Sequence, residues 1–414
     1  MGSLMNGDKT AVLMMRENPN CTPDPHKMKE LRGLAEAAGY SVLAEIAQRR
    51  GRDHRYQVGR GKIDEAMGYN PDKLIFYNPL SPGQIVTLRS EFPVDVMDRF
   101  NLILEIFATR ATTKEAKMQV ELAKLTYDAP HVKRSLSTRK LGEQPGFGGA
   151  GAYEDFAYRD IMGRIAKIKD ALKDVEATGV DRRQRRRELG FDLVALAGYT
   201  NAGKSTLLNV LTGSMVQVED RPFTTLSPTT RAAKIGKRKI LLTDTVGFID
   251  DLPHFLIKAF RSTLSEISQA DLVLLVADLS DPPDLLRRKM AASHKALWDC
   301  NSSAPIVTIL NKADRLSQEE AEERMEFVKD LASSPVIVSA SSGQGLGELM
   351  DRIIGRLSPL KEFQIRLPYS GKGLSQLSKL YQAGEMLDVK YEEEVVVKLR
   401  GRAKDIAQIS MARE

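Results

Sequence analysis

A glycine-rich loop decides the fold: Gly198-Tyr199-Thr200-Asn201-Ala202-Gly203-Lys204-Ser205-Thr206, which directly follows the apolar run Leu193–Ala197. This is the G-x-x-x-x-G-K-[ST] pattern in the position where it binds phosphate, after a buried strand and before a helix. Its glycines allow backbone N–H groups to surround phosphate oxygens. We expect Lys204 to reach the β- and γ-phosphates of a nucleotide, and the Ser205 hydroxyl to ligate Mg²⁺.

A second motif, Asp244-Thr245-Val246-Gly247, follows the apolar run Ile240–Thr243. A carboxylate at the end of a strand can hold Mg²⁺ through a water molecule, so Asp244 joins Ser205 as a candidate magnesium residue. The N–H of Gly247 is in a position to contact the γ-phosphate. All four residues of this motif are therefore predicted to line the nucleotide site.

A third motif, Asn311-Lys312-Ala313-Asp314, follows the strand Ile306–Leu310 and indicates which base is bound. The Asp314 carboxylate can accept hydrogen bonds from the ring N1–H and the 2-amino group of guanine, whereas adenine leaves it unpaired, which discriminates by orders of magnitude. The stem of Lys312 is expected to lie along the base plane. Ser339-Ala340 is expected to offer a backbone N–H to the guanine carbonyl oxygen. The predicted nucleotide is GTP rather than ATP.

A threonine that senses the γ-phosphate through Mg²⁺ must lie between the phosphate-binding loop and Asp244. The segment Pro222-Phe223-Thr224-Thr225-Leu226-Ser227-Pro228-Thr229-Thr230-Arg231 occupies that place. Thr225 is the favoured residue and Thr224 the alternative, and Phe223 beside them is included in the nucleotide site. Lys204, Thr225 and Gly247 are thus the residues predicted to act on the transferred phosphate.

The residue after Gly247 is Phe248, where many GTPases carry a glutamine that orients the attacking water. A phenyl ring can neither donate nor accept that hydrogen bond. The sequence therefore predicts slow hydrolysis by the isolated chain and acceleration when a partner supplies or positions the missing group.

The chain is expected to be an α/β protein of 414 residues with several domains, because this length exceeds one ordinary core. Strands and helices alternate in 1–100, which predicts a small, mainly parallel sheet. From Leu102 to Tyr127 the pattern is helical without a break, and a seam of apolar residues runs along it at steps of four, three and four: Ala116, Val120, Ala123 and Tyr127. A second seam follows at Ile161, Ile165, Ile168, Leu172 and Val175. These two heptad-like seams predict a helical hairpin with a Gly-rich loop and a basic linker over 101–188. The P-loop GTPase domain is placed at 189–358, and a small α+β appendage with a hairpin and flanking helices at 359–414.

The composition excludes several classes of protein. With 42% hydrophobic and 28% charged residues the chain is neither disordered nor collagen-like. The longest strictly apolar run, Leu272–Ala277, is too short to cross a bilayer, and no secretory signal is evident, so a cytoplasmic location is expected. The two cysteines, Cys21 and Cys300, and five scattered histidines argue against disulfides and a structural metal.

Several segments outside the nucleotide motifs resemble signature segments of the HflX family of GTPases. The resemblance covers roughly residues 10 to 357. The segments that carry it are Val58–Glu65 (VGRGKIDE), Leu80–Gln84 (LSPGQ), Val96–Phe107 (VMDRFNLILEIF), Arg110–Ala123 (RATTKEAKMQVELA), Gly247–His254 (GFIDDLPH) and Ala259–Leu264 (AFRSTL).

This resemblance implies a GTPase that binds the ribosome, chiefly its large subunit and rRNA, and that splits or rescues stalled ribosomes, with the hairpin loop near the peptidyl-transferase centre. It also implies slow hydrolysis alone and faster hydrolysis with ribosomes, in accord with Phe248. The loop Gly142–Glu154 keeps the glycines of bacterial relatives but lacks their Gly-Glu-Thr-Gln-Leu-Glu-type continuation.

Other interpretations stay open. The loop with its aromatic rings and neighbouring Lys133, Arg134, Arg139 and Lys140 suits RNA, but it also suits a flexible connector. The Arg182–Arg187 run suits rRNA phosphates or a solvated helix face. Gly59–Lys62 is interpreted as a helix-opening turn rather than a second phosphate loop. The alternative function is a regulatory GTPase with a protein or membrane partner; a metabolic kinase is disfavoured by Asn311–Asp314. A monomer is expected.

Overall fold

The computed structural model describes residues 9–140, 156, 158–175, 191–213, 223, 229–236, 238–249, 266–391, 393–403, 406–407 and 409. The chain folds as two compact units. The first comprises Met1–Leu172 and, among described residues from elsewhere in the chain, Phe223. The second comprises Lys173–Val218, Ser227–Leu252 and Arg261–Glu414. The division into four segments made above stays a prediction.

The first unit contains the parallel sheet that the alternating pattern predicted. Its strand order is β2-β1-β3-β4, and every pairing is parallel. Apolar strand residues and the helices pack into one core that includes Val12, Met14, Leu74 and Phe76. The elements are β1 (Lys9–Glu17), α1 (Pro25–Ala37), β2 (Tyr40–Arg49), α2 (Arg60–Met67), β3 (Lys73–Phe76), α3 (Pro82–Glu91) and β4 (Asp95–Asp98).

Local chemistry sets where these helices begin. Ser81 caps α3 through a capping box with Gln84, whose backbone N–H lies 3.4 Å from the Ser81 hydroxyl oxygen. Pro82 occupies the first turn, where its missing N–H costs nothing. Gly59 is the N-terminal cap residue of α2, so Gly59–Lys62 forms the helix-opening turn that the sequence indicated.

Two further helices follow, and here one expectation is wrong. The helical pattern from Leu102 to Tyr127 was expected to be continuous, but the chain forms α4 (Arg99–Arg110) and α5 (Lys114–Lys140). Ala111 is extended between them, and the Thr113 hydroxyl accepts a hydrogen bond from the Ala116 N–H at 3.1 Å. Threonine favours this capping role over a helix interior, so the break is local chemistry.

The hairpin partner of α5 is α6, which spans 158–175. An ion pair of 2.5 Å between Arg164 and Glu121 joins the two helices. On the seam of α5, Ala116, Val120 and Ala123 are buried, as their spacing predicted, and on α6 Ile165 is buried. The Gly-rich loop Gly142–Glu154 lies outside the described residues, as does the Arg182–Arg187 run.

The second unit is built on a six-stranded sheet of order β10-β9-β8-β5-β7-β6. Its central strands are almost wholly buried, as strands covered by helices on both faces must be. The sequence did not indicate β6, which pairs antiparallel with β7 at the edge. The elements are β5 (Asp192–Gly198), α7 (Lys204–Thr212), β6 (Thr229–Ile235), β7 (Arg238–Asp244), β8 (Leu272–Asp278), α8 (Pro283–Asp299), β9 (Ile306–Asn311), α9 (Gln318–Phe327), β10 (Val336–Ile337) and α10 (Leu346–Arg356).

The C-terminal appendage is a three-stranded antiparallel sheet with one helix packed on it. The strand order is β11-β13-β12, where β11 is Leu360–Pro368, β12 is Gly384–Tyr391 and β13 is Glu394–Arg402. The expected hairpin is therefore present, but a strand stands where a flanking helix was expected before α11 (Gly371–Ala383).

A buried ionic cluster ties this appendage to the six-stranded sheet. Asp192, at the start of β5, pairs with Arg238 at 2.9 Å and with Arg402 of β13 at 3.3 Å. Arg402 also pairs with Asp271 at 3.2 Å. Burial raises the pKa of Asp192 against the opposing pull of both guanidinium groups. Removing any one of these charged side chains would destabilise the fold, because its partners would stay desolvated and lose an ion pair.

Candidate functional site

The phosphate-binding loop joins β5 to α7 at the carboxyl edge of the sheet. Gly203, the N-terminal cap residue of α7, has φ +93°, and a Cβ there would lie 2.2 Å from the Nδ2 atom of Asn311. A glycine is required at this position because both the backbone conformation and the space exclude a side chain. The loop therefore wraps around the start of α7, where backbone N–H groups and the helix dipole favour an anion.

Lys204 is the buried cation of the loop. Its side chain is 7% exposed, and its Nζ donates to the carbonyl oxygens of Gly198 at 3.1 Å and Tyr199 at 2.9 Å. Burial lowers the pKa of this ammonium to about 8, and the nearby Asp244 carboxylate opposes the shift. Such a desolvated charge is ready to be neutralised by phosphate oxygens.

This pKa predicts proton uptake when a nucleotide binds. Above a pH of about 8 Lys204 of the free protein loses its proton, whereas bound phosphates favour its charged form. At pH 9, GDP binding should take up nearly one proton, and at pH 7 this uptake should vanish. Titration calorimetry in buffers of different ionisation enthalpy measures the uptake. Unchanged proton uptake in a Lys204→Met variant would contradict this assignment.

Ser205 and Asp244 form the candidate magnesium site. The Ser205 hydroxyl donates to Oδ2 of Asp244 at 2.6 Å, and both residues are buried. Hydroxyl and carboxylate oxygens are the hard ligands that Mg²⁺ takes, so the residues fit this ion. The neighbouring Thr245 is fully buried and donates its hydroxyl to the carbonyl of Leu196 at 2.7 Å, which holds the end of β7 against β5.

The segment after Asp244 lies directly against the phosphate-binding loop. The Phe248 N–H donates to the Gly198 carbonyl at 3.0 Å, and the Thr200 N–H donates to the Phe248 carbonyl at 2.8 Å. A Cβ on Gly247 would lie 2.8 Å from the Thr200 Cγ2 and 3.1 Å from the Lys204 Nζ. Gly247 thus lies next to the lysine predicted to reach the γ-phosphate, and Val246 is buried beside it.

Asn311 connects the phosphate-binding loop to the segment around Ala340. Its Nδ2 donates to the Ala202 carbonyl at 2.9 Å, and its Oδ1 accepts from the Ala340 N–H at 3.0 Å. Lys312 adds a second connection, because its Nζ donates to the Asn201 carbonyl at 2.8 Å. The motif therefore connects the phosphate-binding loop to the Ser339–Ala340 segment that is predicted to contact the base.

One residue at this site was not anticipated. Asp278, the last residue of β8, pairs with the Lys312 Nζ at 2.7 Å and so holds that ammonium over the phosphate-binding loop. The sequence could have indicated Asp278 as a site residue, because it is a carboxylate at the carboxyl end of a buried strand, as Asp244 is. The second unanticipated contact is a cation above a ring, with the Lys289 Nζ 5.2 Å from the ring centre of Tyr199.

Asp314 is exposed in the short helix Ala313–Arg315, with its carboxylate held by a neighbouring loop. The Ser339 hydroxyl donates to Oδ1 of Asp314 at 2.6 Å, and this hydrogen bond holds the pKa of Asp314 below its usual value. Asp314 is therefore ionised at neutral pH and accepts hydrogen bonds. Ala313 is buried and donates its N–H to the Val338 carbonyl at 3.1 Å.

The predicted backbone donor of the base site is engaged within the protein. The Ser339 N–H donates to the Gln344 carbonyl at 3.0 Å, and the Ala340 N–H donates to Asn311. A guanine carbonyl oxygen could use either amide only by sharing it or by a shift of the loop. The contribution of Ser339 and Ala340 stays a prediction.

Of Phe223, Thr224 and Thr225, the structure describes only Phe223. Thr224 and Thr225, predicted to sense the γ-phosphate, lie outside the described residues. Phe223 is buried, has φ +58°, and packs edge-to-face on Phe107 of α4 with ring centres 4.7 Å apart. The structure thus places Phe223 in the first unit, whereas the other described site residues belong to the second. Its part in nucleotide binding stays a prediction.

The structure brings the phosphate loop, the Asp244–Gly247 segment and the Asn311–Asp314 segment to one edge of a mainly parallel sheet. This arrangement defines a P-loop GTPase. Residues 193–312 match a family model described as 50S ribosome-binding GTPase. Residues 25–108 and 110–186 match models described as the N-terminal region and the middle region of GTP-binding GTPases.

Known relatives show which family of P-loop GTPases the chain belongs to. It is 43% identical to GTPase HflX of Thermococcus kodakarensis, over 88% of this chain and 86% of the relative, and 38% identical to GTPase HflX of Methanocaldococcus jannaschii, over 93% and 96%. The chain belongs to the HflX family of GTPases. A solved structure, the SsGBP and GDP complex, is 28% identical with a TM-score of 0.51, covering 83% of this chain and 97% of that chain.

Neither a membrane-spanning helix nor a cluster of metal ligands is found among the described residues. No helix in the described part of the chain is both long and apolar enough to cross a membrane. The described residues also contain no group of three or more His, Cys, Asp or Glu side chains that could hold a metal ion. Such a group is not needed for the magnesium expected here, because nucleotide sites usually hold this ion with one or two carboxylates together with phosphate oxygens.

Proposed function

We propose that this GTPase is a switch that binds the ribosome, chiefly the large subunit and its rRNA, and there splits or rescues stalled ribosomes. One observation carries the proposal: the guanine and phosphate segments meet at one site, in a region whose family model is described as 50S ribosome-binding GTPase. Since GTP and GDP differ by one phosphate, a ribosome can distinguish the two states only through segments near Lys204 and Gly247.

In this proposal the γ-phosphate is held by Lys204, by the Gly247 N–H and by Thr225. Ser205 and Thr225 ligate Mg²⁺, and Asp244 holds it through a water molecule. The ion, when bound, offsets the charge that develops on the phosphate oxygens. The hydrogen bond between Ser205 and Asp244 supports the assignment because it pairs the two predicted magnesium residues. Asp314 accepts hydrogen bonds from the guanine base, and the stem of Lys312 lies along the base plane.

RNA contacts are assigned to two segments of the sequence outside the nucleotide motifs. The loop Gly142–Glu154 combines glycines with the stackable rings of Phe147 and Tyr153, and the Arg182–Arg187 run carries phosphate-neutralising charge. Such contacts suit a monomer working in the cytoplasm, where ribosomes are.

Ribosomes should accelerate hydrolysis in this proposal. Phe248 is 3% exposed and its backbone is bonded to the phosphate loop, so its ring leaves the attacking water without a polar partner from this position. We expect slow single-turnover hydrolysis by the isolated chain, and acceleration on the order of a hundredfold or more with purified large subunits, the range that a positioned partner group provides.

The control is a variant lacking Gly142–Gly151, which should hydrolyse GTP at the same slow basal rate but lose most of the stimulation. Stimulation by anionic vesicles with none by ribosomes would instead support a membrane partner and would refute the proposal. Rapid hydrolysis by the isolated wild-type chain would refute the role given to Phe248.

A further inference from the structure

The turn formed by residues 278–281 joins β8 to α8 next to the phosphate-binding loop. Its first residue holds the Lys312 ammonium, which donates to the Asn201 carbonyl of that loop. Its last residue, Asp281, holds a second ammonium, because Oδ2 of Asp281 lies 2.7 Å from the Nζ of Lys289 on α8. Two carboxylates of one turn therefore hold two lysines against the same loop.

The backbone of this turn is itself fixed by hydrogen bonds. The guanidinium of Arg324 on α9 donates to the Leu279 carbonyl at 2.8 Å and to the Asp281 carbonyl at 2.9 Å. Within the turn, the N–H and the hydroxyl of Ser280 both donate to Oδ1 of Asp278, at 3.0 and 2.5 Å. Because the backbone is held at several points, the two carboxylates have defined positions.

The ion pair of Asp281 and Lys289 is largely shielded from water. The two side chains are 15% and 21% exposed. Burial raises the pKa of Asp281, and the Lys289 ammonium opposes this shift. Separating the pair would leave poorly hydrated charges without a partner, so Lys289 keeps one position. From there its Nζ lies 5.2 Å from the ring centre of Tyr199, within the distance at which a cation is attracted to an aromatic face.

Tyr199 connects this contact to the phosphate site. It is the second residue of the phosphate-binding loop and is 6% exposed. The gap that it lines, together with Met290 and Ser293 of α8, measures only about 10 Å³, so the ring has little room to move. The Tyr199 carbonyl accepts a hydrogen bond from the Lys204 Nζ at 2.9 Å. A fixed position of the Tyr199 ring therefore also restrains the carbonyl that holds the Lys204 ammonium.

Such a restraint matters because the loop is rich in glycine. Glycine has more backbone conformations available than any other residue, so ordering a glycine-rich loop when a ligand binds costs free energy. A loop that is already held in its binding conformation avoids much of this cost. A change that loosens the loop should then weaken every ligand whose phosphates the loop surrounds.

We propose that Asp281 and Lys289 are positioning residues for the phosphate-binding loop. Through the ring of Tyr199 they hold the loop, and with it Lys204, in the conformation that receives the phosphates of GDP and GTP. The inference rests on the phosphate-binding role proposed for Lys204 and is independent of ribosome binding.

The test is the nucleotide affinity of the full chain without ribosomes, measured by competition against a fluorescent GDP analogue. Lys289→Met keeps a side chain of similar length and removes its charge. GDP and GTP affinity should each fall about fivefold to tenfold, the size of a desolvated contact between a cation and a ring. The two factors should be alike, because Lys289 acts on the loop and not on the γ-phosphate. A chase with excess GDP should show the loss mainly as faster dissociation.

Conservative variants separate positioning from a general loss of stability. Lys289→Arg should recover wild-type affinity to within about twofold, because a guanidinium also pairs with a carboxylate and lies over rings. Tyr199→Phe, which keeps the ring, should bind GDP more tightly than Tyr199→Leu, which loses it. Lys289→Met and Tyr199→Leu remove the same contact, so their losses should not multiply in the double variant.

Lys295→Met is the matched control, since Lys295 is an exposed lysine further along α8, and it should bind both nucleotides as the wild type does. Asp281→Asn keeps a hydrogen-bond acceptor for Lys289 but removes the charge, so affinity should fall about threefold. Thermal unfolding shows which variants fold, and Asp281→Asn keeps the test valid where Lys289→Met does not.

Three results would each overturn the inference: wild-type affinity in a folded Lys289→Met or Asp281→Asn chain, Lys289→Arg binding no better than Lys289→Met, or losses that multiply in the double variant. A wild-type chain that binds no GDP would overturn the proposed function as well, so the two failures are distinguishable.

Discussion

Replacement of Asp314 by asparagine is expected to lower GTP affinity on the order of a thousandfold and to raise affinity for xanthosine triphosphate. The carboxylate, ionised because the Ser339 hydroxyl stabilises it, can accept both the N1–H and the 2-amino group of guanine. An asparagine places an amide N–H against one of these donors. Xanthine presents a carbonyl oxygen at that edge, which the amide can satisfy. Competition titrations against a fluorescent nucleotide measure both affinities.

Asp330→Asn supplies the control for Asp314→Asn, because Asp330 is also an exposed carboxylate but pairs with Arg287 at 2.6 Å, away from the nucleotide motifs. It should leave GTP affinity unchanged. The wild type should reject ATP at concentrations where GTP saturates. ATP binding as tight as GTP binding, or an Asp314→Asn variant that still prefers GTP, would contradict the role of Asp314.

The second large effect is expected for Lys204→Met. Loss of the buried ammonium should weaken GTP and GDP binding by a hundredfold or more, because it leaves phosphate charge without its main partner in a desolvated site. The stability of the nucleotide-free chain should not fall, since Lys204 is buried at a desolvation cost and methionine fills a similar volume. Thermal unfolding with and without GDP measures both properties.

GDP should raise the melting temperature of the wild type and should no longer do so for Lys204→Met. The control is Lys329→Met, whose side chain is 70% exposed and pairs only weakly with Glu326, so both properties should match the wild type. A Lys204→Met chain that melts well below the wild type without nucleotide would mean that Lys204 is mainly structural.

The parts of the site that could be predicted from sequence are those made by short contiguous segments. Gly198–Thr206, Asp244–Gly247 and Asn311–Asp314 each follow a buried strand, and parallel strands of one sheet end at the same edge. Their convergence therefore follows from local pattern and topology together. The parallel sheet of the first unit was predictable for the same reason, because strands and helices alternate along the chain.

The parts that could not be predicted depend on contacts between distant segments. Asp278 can be recognised as a site residue only because the fold brings Lys312 beside it. The Ala340 N–H is likewise hydrogen-bonded only because the fold brings the Asn311 side chain to it. Strand β6 is an edge strand with little buried surface, so it lacks the continuous apolar run that marks its neighbours. The break after α4 depends on one threonine cap, a signal that a periodic apolar pattern hides.

The most direct test of a GTP-controlled ribosome switch is co-sedimentation of the wild-type chain with ribosomes and large subunits, in the presence of a non-hydrolysable GTP analogue or GDP. We expect the analogue to increase the bound fraction, with an apparent affinity about tenfold higher than with GDP, a usual size for coupling between two sites. Lys204→Met should lose this difference. Equal co-sedimentation in both nucleotides, or none in either, would contradict the proposed function.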